Sequence, residues 1–111
     1  MTNAEIILSN RVFLMEQGVI KATEEMMEYS DEKGKRKINV PEEIHTFQTW
    51  KSSGYQVKRG EHAIAKFPIW KYRQGKQQEK ELEEGQEQVK SGRCFMKMAF
   101  FFTIDQVQPI K

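Results

Sequence analysis

Between positions 58 and 97 the chain interleaves cations with flat aromatic rings. Lys58 and Arg59 come first, then Lys66, Trp70, Lys71, Tyr72 and Arg73, then Arg93, Phe95 and Lys97. Cations neutralise phosphate and aromatic faces stack unpaired bases, so the combination suits single-stranded nucleic acid. Lys58 and Arg59 would meet phosphates from a turn, and Gly60 would let that turn approach closely. Lys66, Arg73, Arg93 and Lys97 would track the backbone, with Lys71 beside them. Trp70 and Tyr72 are the leading stacking residues, and Trp50 and Phe95 are further candidates, with the helix–sheet core as the alternative place for Trp50. No base-edge reader stands out, so little sequence preference is expected. Two other readings compete: a protein-binding surface, or rings packed in the core with lysine stems snorkelling outward.

Other chemistries find no constellation. His45 and His62 are not spaced as metal ligands, and no HExxH occurs. "EEIHTF" puts Glu42 and Glu43 near His45, but one helix cannot complete a three-ligand site. "SGYQVKRGEH" has neither P-loop nor dinucleotide spacing. Cys94, the sole cysteine, rules out an internal disulfide and a thiol zinc site, and it alternates into an apolar strand face as a small hydrophobe. The carboxylates concentrate in 74–92, where no scaffold would hold an acid/base pair. A non-enzyme without metal or cofactor is expected.

With 111 residues, 38% of them hydrophobic and 31% charged, the chain fits one small domain. Its net charge of +2 says little, but the distribution says more. Residues 41–73 carry six basic against three acidic side chains, and 74–92 carry three against five. No apolar run approaches the roughly 20 residues of a membrane span, and no signal-peptide pattern opens the chain. A cytoplasmic location is the expectation.

The elements that must position these residues follow from periodicity. Thr2 with Glu5 is a capping-box pattern, and an apolar stripe from Ile6 to Met27 predicts a helix over about 4–29, with Gly18 a kink or break inside it. Residues 30–40, "SDEKGKRKINV", read as a flexible linker. Pro41, Glu42 and Glu43 open a second, short helix over about 42–52, which Gly54 closes. Two strands follow, over 63–72 and 93–103. The even row of the second (Cys94, Met96, Met98, Phe100, Phe102) is apolar and is expected inward with Phe67 and Ile69. That leaves Lys66, Trp70, Tyr72, Phe95 and Lys97 on the solvent face. Residues 74–92 read as a long mobile connection with no role in the core, an acidic helix of two or three turns being the alternative. The expected fold class is α+β: two N-terminal helices packed on a small antiparallel sheet, a hairpin with a long mobile connection.

The stretches "HTFQTWKSSGYQVKRGEHAIAKFPIWKY" and "MAFFFTIDQV" resemble the N-terminal domain of ArdC-type antirestriction proteins, also found in phage and plasmid polyvalent proteins. The likeness rests on Thr46, Phe47, Trp50, Gly54, Val57, Lys58, Gly60, Glu61 and Trp70, then Phe102, Gln106 and Val107, and covers residues 45–108. It implies a single domain over 1–111 that binds single-stranded DNA, leaving RNA open, for a mobile element that protects incoming DNA from restriction. A host restriction or replication protein would be a further partner; no membrane is implied. Two family features differ: the C-terminal HExxH metallopeptidase does not occur in these residues, and "GKRKINVP" stands where an early Tyr-x-Gly-x-Asn element is usual.

Overall fold

The computed structural model describes residues 2–74, 78–82 and 94–110, and its first helix starts where the capping signal places it. Thr2 Oγ1 accepts the Glu5 N–H at 3.2 Å, and the Glu5 carboxylate accepts the Thr2 N–H at 2.9 Å. The Thr2 N–H, and then the Thr2 hydroxyl donating at 3.2 Å, hold the Glu5 carboxyl below its ordinary pKa. The helix, α1 (Asn3–Glu16), does not run to residue 29. Gly18 takes φ 76°, the Val19 N–H returns to Leu14 O at 2.9 Å, and the Gly18 N–H to Met15 O at 3.0 Å. This is a Schellman stop, so Gly18 ends the helix rather than kinking it.

What was expected as helix end and linker is a β-hairpin. Strands β1 (Ala22–Asp31) and β2 (Gly34–Pro41) pair antiparallel, with Asp31 opposite Gly34. Asp31 Oδ1 accepts the Lys33 N–H at 2.9 Å, and Oδ2 accepts from Arg36 at 3.1 Å. In β2 the residues alternate: Ile38 is buried while Lys35, Lys37 and Asn39 are exposed, a half-buried strand's period of two. Arg11 ties α1 to the hairpin's end, donating to the carbonyls of Pro41 and Glu42. Helix α1 is thus flanked by two partners, Ile7 belonging to the sheet's core and Val12 also buried.

The expected second helix is also shorter. Strand β3 (Ile44–Thr46) occupies its first half, and α2 (Phe47–Ser52) is six residues long. Thr46 caps it, Oγ1 accepting the Thr49 N–H at 3.3 Å, so Pro41 closes a strand instead of opening a helix. Next come β4 (Tyr55–Val57), β5 (Ala65–Gln74), β6 (Gln78–Glu81), β7 (Cys94–Thr103), a single 3₁₀ turn (Ile104–Gln106) and β8 (Val107–Pro109). The main sheet is antiparallel in the order β3-β7-β5-β6, and β4 pairs with β8 as a separate ribbon. The sheet curls: Thr46 on one edge strand donates to Glu81 on the other at 2.7 Å. The architecture is therefore α+β, one long helix on a small curled antiparallel sheet, in place of two packed helices.

The β5–β7 register puts Ala65 opposite Phe101, Phe67 opposite Ala99 and Ile69 opposite Lys97. Ile69, Phe67, Ala99 and Phe101 form the core with Ile7, Ile20 and Ile44, and the Phe67 and Phe101 rings stack at 4.0 Å. The odd row of β7 is thus the buried one, and the expected burial of Met96, Met98 and Phe100 is reversed. β5 decides the matter: its odd row is apolar, and pairing forces the same parity on its neighbour.

Part of the expected connection is also structural. β6 pairs with β5, Leu82 is buried, and residues 75–77 and 83–93 lie outside the described ones. The buried Asn3 amide locks this edge, accepting the Trp70 N–H at 2.8 Å and donating to Trp70 O at 3.0 Å and Leu82 O at 2.9 Å.

Two outcomes follow from this arrangement. Asn3→Ala should cost about 2 kcal/mol in denaturant melting, the penalty of stranding buried backbone groups. Asn3→Asp should cost more, since it sets a carboxylate against two carbonyl oxygens. In the hairpin, the Lys33 N–H, and then Arg36 against partial desolvation, hold the Asp31 carboxyl below the ordinary aspartate value of 3.8. A depressed acid stabilises the fold above that value and loses the contribution as pH falls through its lowered one. Asp31→Asn should flatten the acid limb of hairpin NMR signals below about pH 4.

Candidate nucleic-acid interface

The molecule is 19 Å across its thinnest axis, about the depth of a sheet carrying one helix layer. Among the described residues nothing covers one sheet face, where Lys66, Pro68, Met96, Met98 and Phe100 are exposed. On it the register aligns Lys66 with Phe100, Pro68 with Met98, Trp70 with Met96, and Tyr72 with Cys94. Phe100 is 54% exposed, Met98 48% and Met96 44%, while Trp70, Tyr72 and Cys94 are half-buried. Sequence reasoning placed the β7 members of this row in the core, and Cys94 with them. Lys80 on β6 pairs with Tyr72 and sets a second cation at the opposite end of this row from Lys66.

The remaining expected site residues divide among other places. Lys71, Arg73, Phe95 and Lys97 continue the core row past the end of the core rather than sharing a face with Trp70. The Arg73 guanidinium lies 5.7 Å from the centre of the Phe95 ring, a cation–π contact that occupies one of that ring's faces. Both sides of the far end of the β5–β7 pair thus carry cations near aromatics. Trp50 is a core residue: it is 6% exposed, its Nε1 donates to Phe102 O at 2.9 Å, and His45 and Tyr55 pack edge-on against it. A ring so enclosed has no face for a base. Arg93 lies outside the described residues.

The basic turn after β4 is held from the C-terminal side. The Lys58 N–H donates to Gln106 O at 2.8 Å, and Gln106 Nε2 donates to His62 O at 2.6 Å and to Glu61 at 3.1 Å. Gln106 Oε1 in turn accepts the Thr103 N–H at 3.0 Å. Lys58 and Arg59 are exposed from a turn fixed at both ends. Gly60 has φ 87°, so it supplies the turn's left-handed conformation, and a Cβ there would meet open space. Gln106 entered the sequence reading only as a point of resemblance. Its 46-residue distance from Gly60 hid the clamp.

A cleft of about 560 Å³ lies where α1, α2 and β6 meet, and Tyr72, Lys80 and Glu81 line it. The Glu81 carboxylate accepts from Thr46 Oγ1 at 2.7 Å and Thr49 Oγ1 at 3.1 Å. Among the described residues no group of three or more His, Cys, Asp or Glu could hold a metal ion, and no helix is long and apolar enough to cross a membrane. Compared with family models, curated proteins and solved structures, the chain gives no significant match.

The different placement of the two tryptophans yields a paired expectation. Trp50→Ala should lower unfolding free energy by about 3–5 kcal/mol, as for a large core aromatic. Trp70→Ala should cost well under half of that in the same denaturant titration. Gln106→Ala should speed amide exchange at 58–62 more than in β5 or β7.

Proposed function

We propose that the protein is a non-catalytic single-stranded DNA-binding module of a phage, plasmid or integrative element, acting in protection of DNA from restriction. The observation that carries this reading is the uncovered sheet face, where Trp70, Tyr72 and Phe100 stand with Lys66 and Lys80. Bases need flat apolar surfaces and phosphates need cations, and this face offers both within one register. The fixed turn with Lys58 and Arg59 adds backbone contacts, and Lys71, Arg73 and Lys97 extend the positive charge beyond the core. The resemblance to ArdC-type N-terminal domains supplies the biological setting. The row Met96, Met98 and Phe100 also favours a second reading, a protein-interaction module that blocks or recruits a host nuclease, because soft apolar rows suit protein docking.

Salt separates the two. Oligonucleotide affinity should fall with a log–log slope of about −0.7 per phosphate neutralised, and Lys58→Ala or Arg59→Ala should each reduce that slope by less than one unit. Trp70→Ala and Phe100→Ala should each cost about 1–3 kcal/mol of single-strand affinity, with melting little changed. An absence of binding to single- and double-stranded probes at low salt would leave the protein-docking reading standing.

A further inference from the structure

We infer that β7 pairs antiparallel with β7 of a second copy of this chain, along the edge that β3 leaves open, with Met96 opposite the partner's Met96. This self-association does not depend on what the open sheet face binds.

The direction of the backbone groups locates the edge. The Trp70 N–H goes to Asn3 Oδ1, and the Trp70 carbonyl accepts the Leu82 N–H at 3.2 Å, so both groups point to the β6 side. Trp70 and Met96, opposite each other across β5 and β7, are thus a pair without mutual hydrogen bonds. Met96 therefore turns its own N–H and C=O away from β5. The register runs unbroken from Tyr72–Cys94 to Ala65–Phe101, so Cys94, Met98 and Phe100 turn theirs the same way. On that side β3 pairs only with Phe101–Thr103. Among the described residues no strand lies along Cys94–Phe100 there.

The other edges are short or blunted. β1 carries a register shift and exposed Glu24, Glu25 and Glu28, and β2 carries exposed Lys35 and Lys37. β3 has three residues and β6 four. Bulges, charges and shortness all discourage pairing, whereas a long apolar edge is a template for another strand. Along the free stretch of β7, Met96, Met98 and Phe100 are exposed on one face. Its single charge, Lys97, stands on the other.

Lys97 and Thr46 select the register. Placing Lys97 opposite the partner's Lys97 sets like charges together, which is unfavourable across a strand pair. Centring the pair on Met98 would put the partner's Phe95 opposite Phe101, where Thr46 already sits. With Met96 at the two-fold axis both conflicts vanish. Lys97 then falls opposite the partner's Phe95, and Cys94 opposite the partner's Met98. A cation beside a ring is attractive, and the symmetry supplies that contact twice. A second copy brings this complement of ring, cation and thioether as a matter of course. Joined so, the two four-stranded sheets become one.

The test is sedimentation velocity on the full chain with reductant present, from micromolar to near-millimolar concentration. The mass should rise with concentration to twice that of the monomer. Met96→Lys and Met96→Glu should each stay monomeric, because each sets like charges against each other at the axis. An equimolar mixture of the two should regain the dimer. Met98→Pro, which removes an N–H that points out of the sheet, should also be monomeric, so the edge remains testable if a Met96 variant folds poorly by thermal melting. A wild-type chain that stays monomeric throughout would overturn the proposal and leave the edge to a strand of another protein. Charge variants that dimerise like the wild type, or a mixture that stays monomeric, would overturn it as well.

Discussion

The pairing register of β5 and β7 governs everything else in the molecule. Ala65 opposite Phe101 and Phe67 opposite Ala99 assign each side chain of both strands to a face, and a slip of one residue would exchange the two faces of β7. With this register the Phe67 and Phe101 rings stack inside and the Met96–Phe100 row lies outside. The alternative would bury Met96, Met98 and Phe100 and turn Phe101 out, leaving Phe67 without its stacking partner. What the sheet can bind is thus a by-product of what it must bury.

Polar side chains do at the margins what apolar packing does at the centre. Asn3 mimics a strand residue between Trp70 and Leu82, Gln106 joins the basic turn to the end of β7, and Thr46 and Thr49 bridge to Glu81 across the curl. Among the described residues no buried side-chain nitrogen or oxygen lacks a partner. Buried amides and hydroxyls are costly when unsatisfied, so each of these links also restricts where its segment can sit. A thin, one-sided core gains positional definition from them that it could not obtain from volume alone.

Local signals in the sequence were legible where one short-range rule acts alone. Thr2 and Glu5 mark the helix start because both halves of the capping box lie within three residues. The odd row of β5 was read correctly from its alternation. Gly18 is legible as a kink or break, but a glycine inside a helix and one that ends it look alike until Val19 is seen folding back on Leu14. The hairpin at 22–41 was hidden by glutamates and methionines, which favour helices in isolation, although the alternation Arg36, Ile38, Val40 already carried a strand's period. The face of β7 was beyond local reading, since both of its rows are rich in apolar residues and only the partner strand chooses between them. Likewise Trp50 and Trp70 look equivalent as residues, and only the tertiary structure places one inside and the other on the rim.

The position of β7 in the chain has a kinetic meaning. It lies between β3 and β5 in space yet follows both in sequence, and Ile44 waits for Thr103. Closing such long loops is entropically slow, and topologies dominated by distant pairs fold late and cooperatively. While the chain emerges from the ribosome, α1, the β1–β2 hairpin and the β5–β6 pair can form from near neighbours, but the sheet cannot. Residues 94–103 complete it in one step. The turn bearing Lys58 and Arg59 settles later still, because Gln106 and β8 come after the strand that closes the core. The basic turn is the last part of the molecule to take shape.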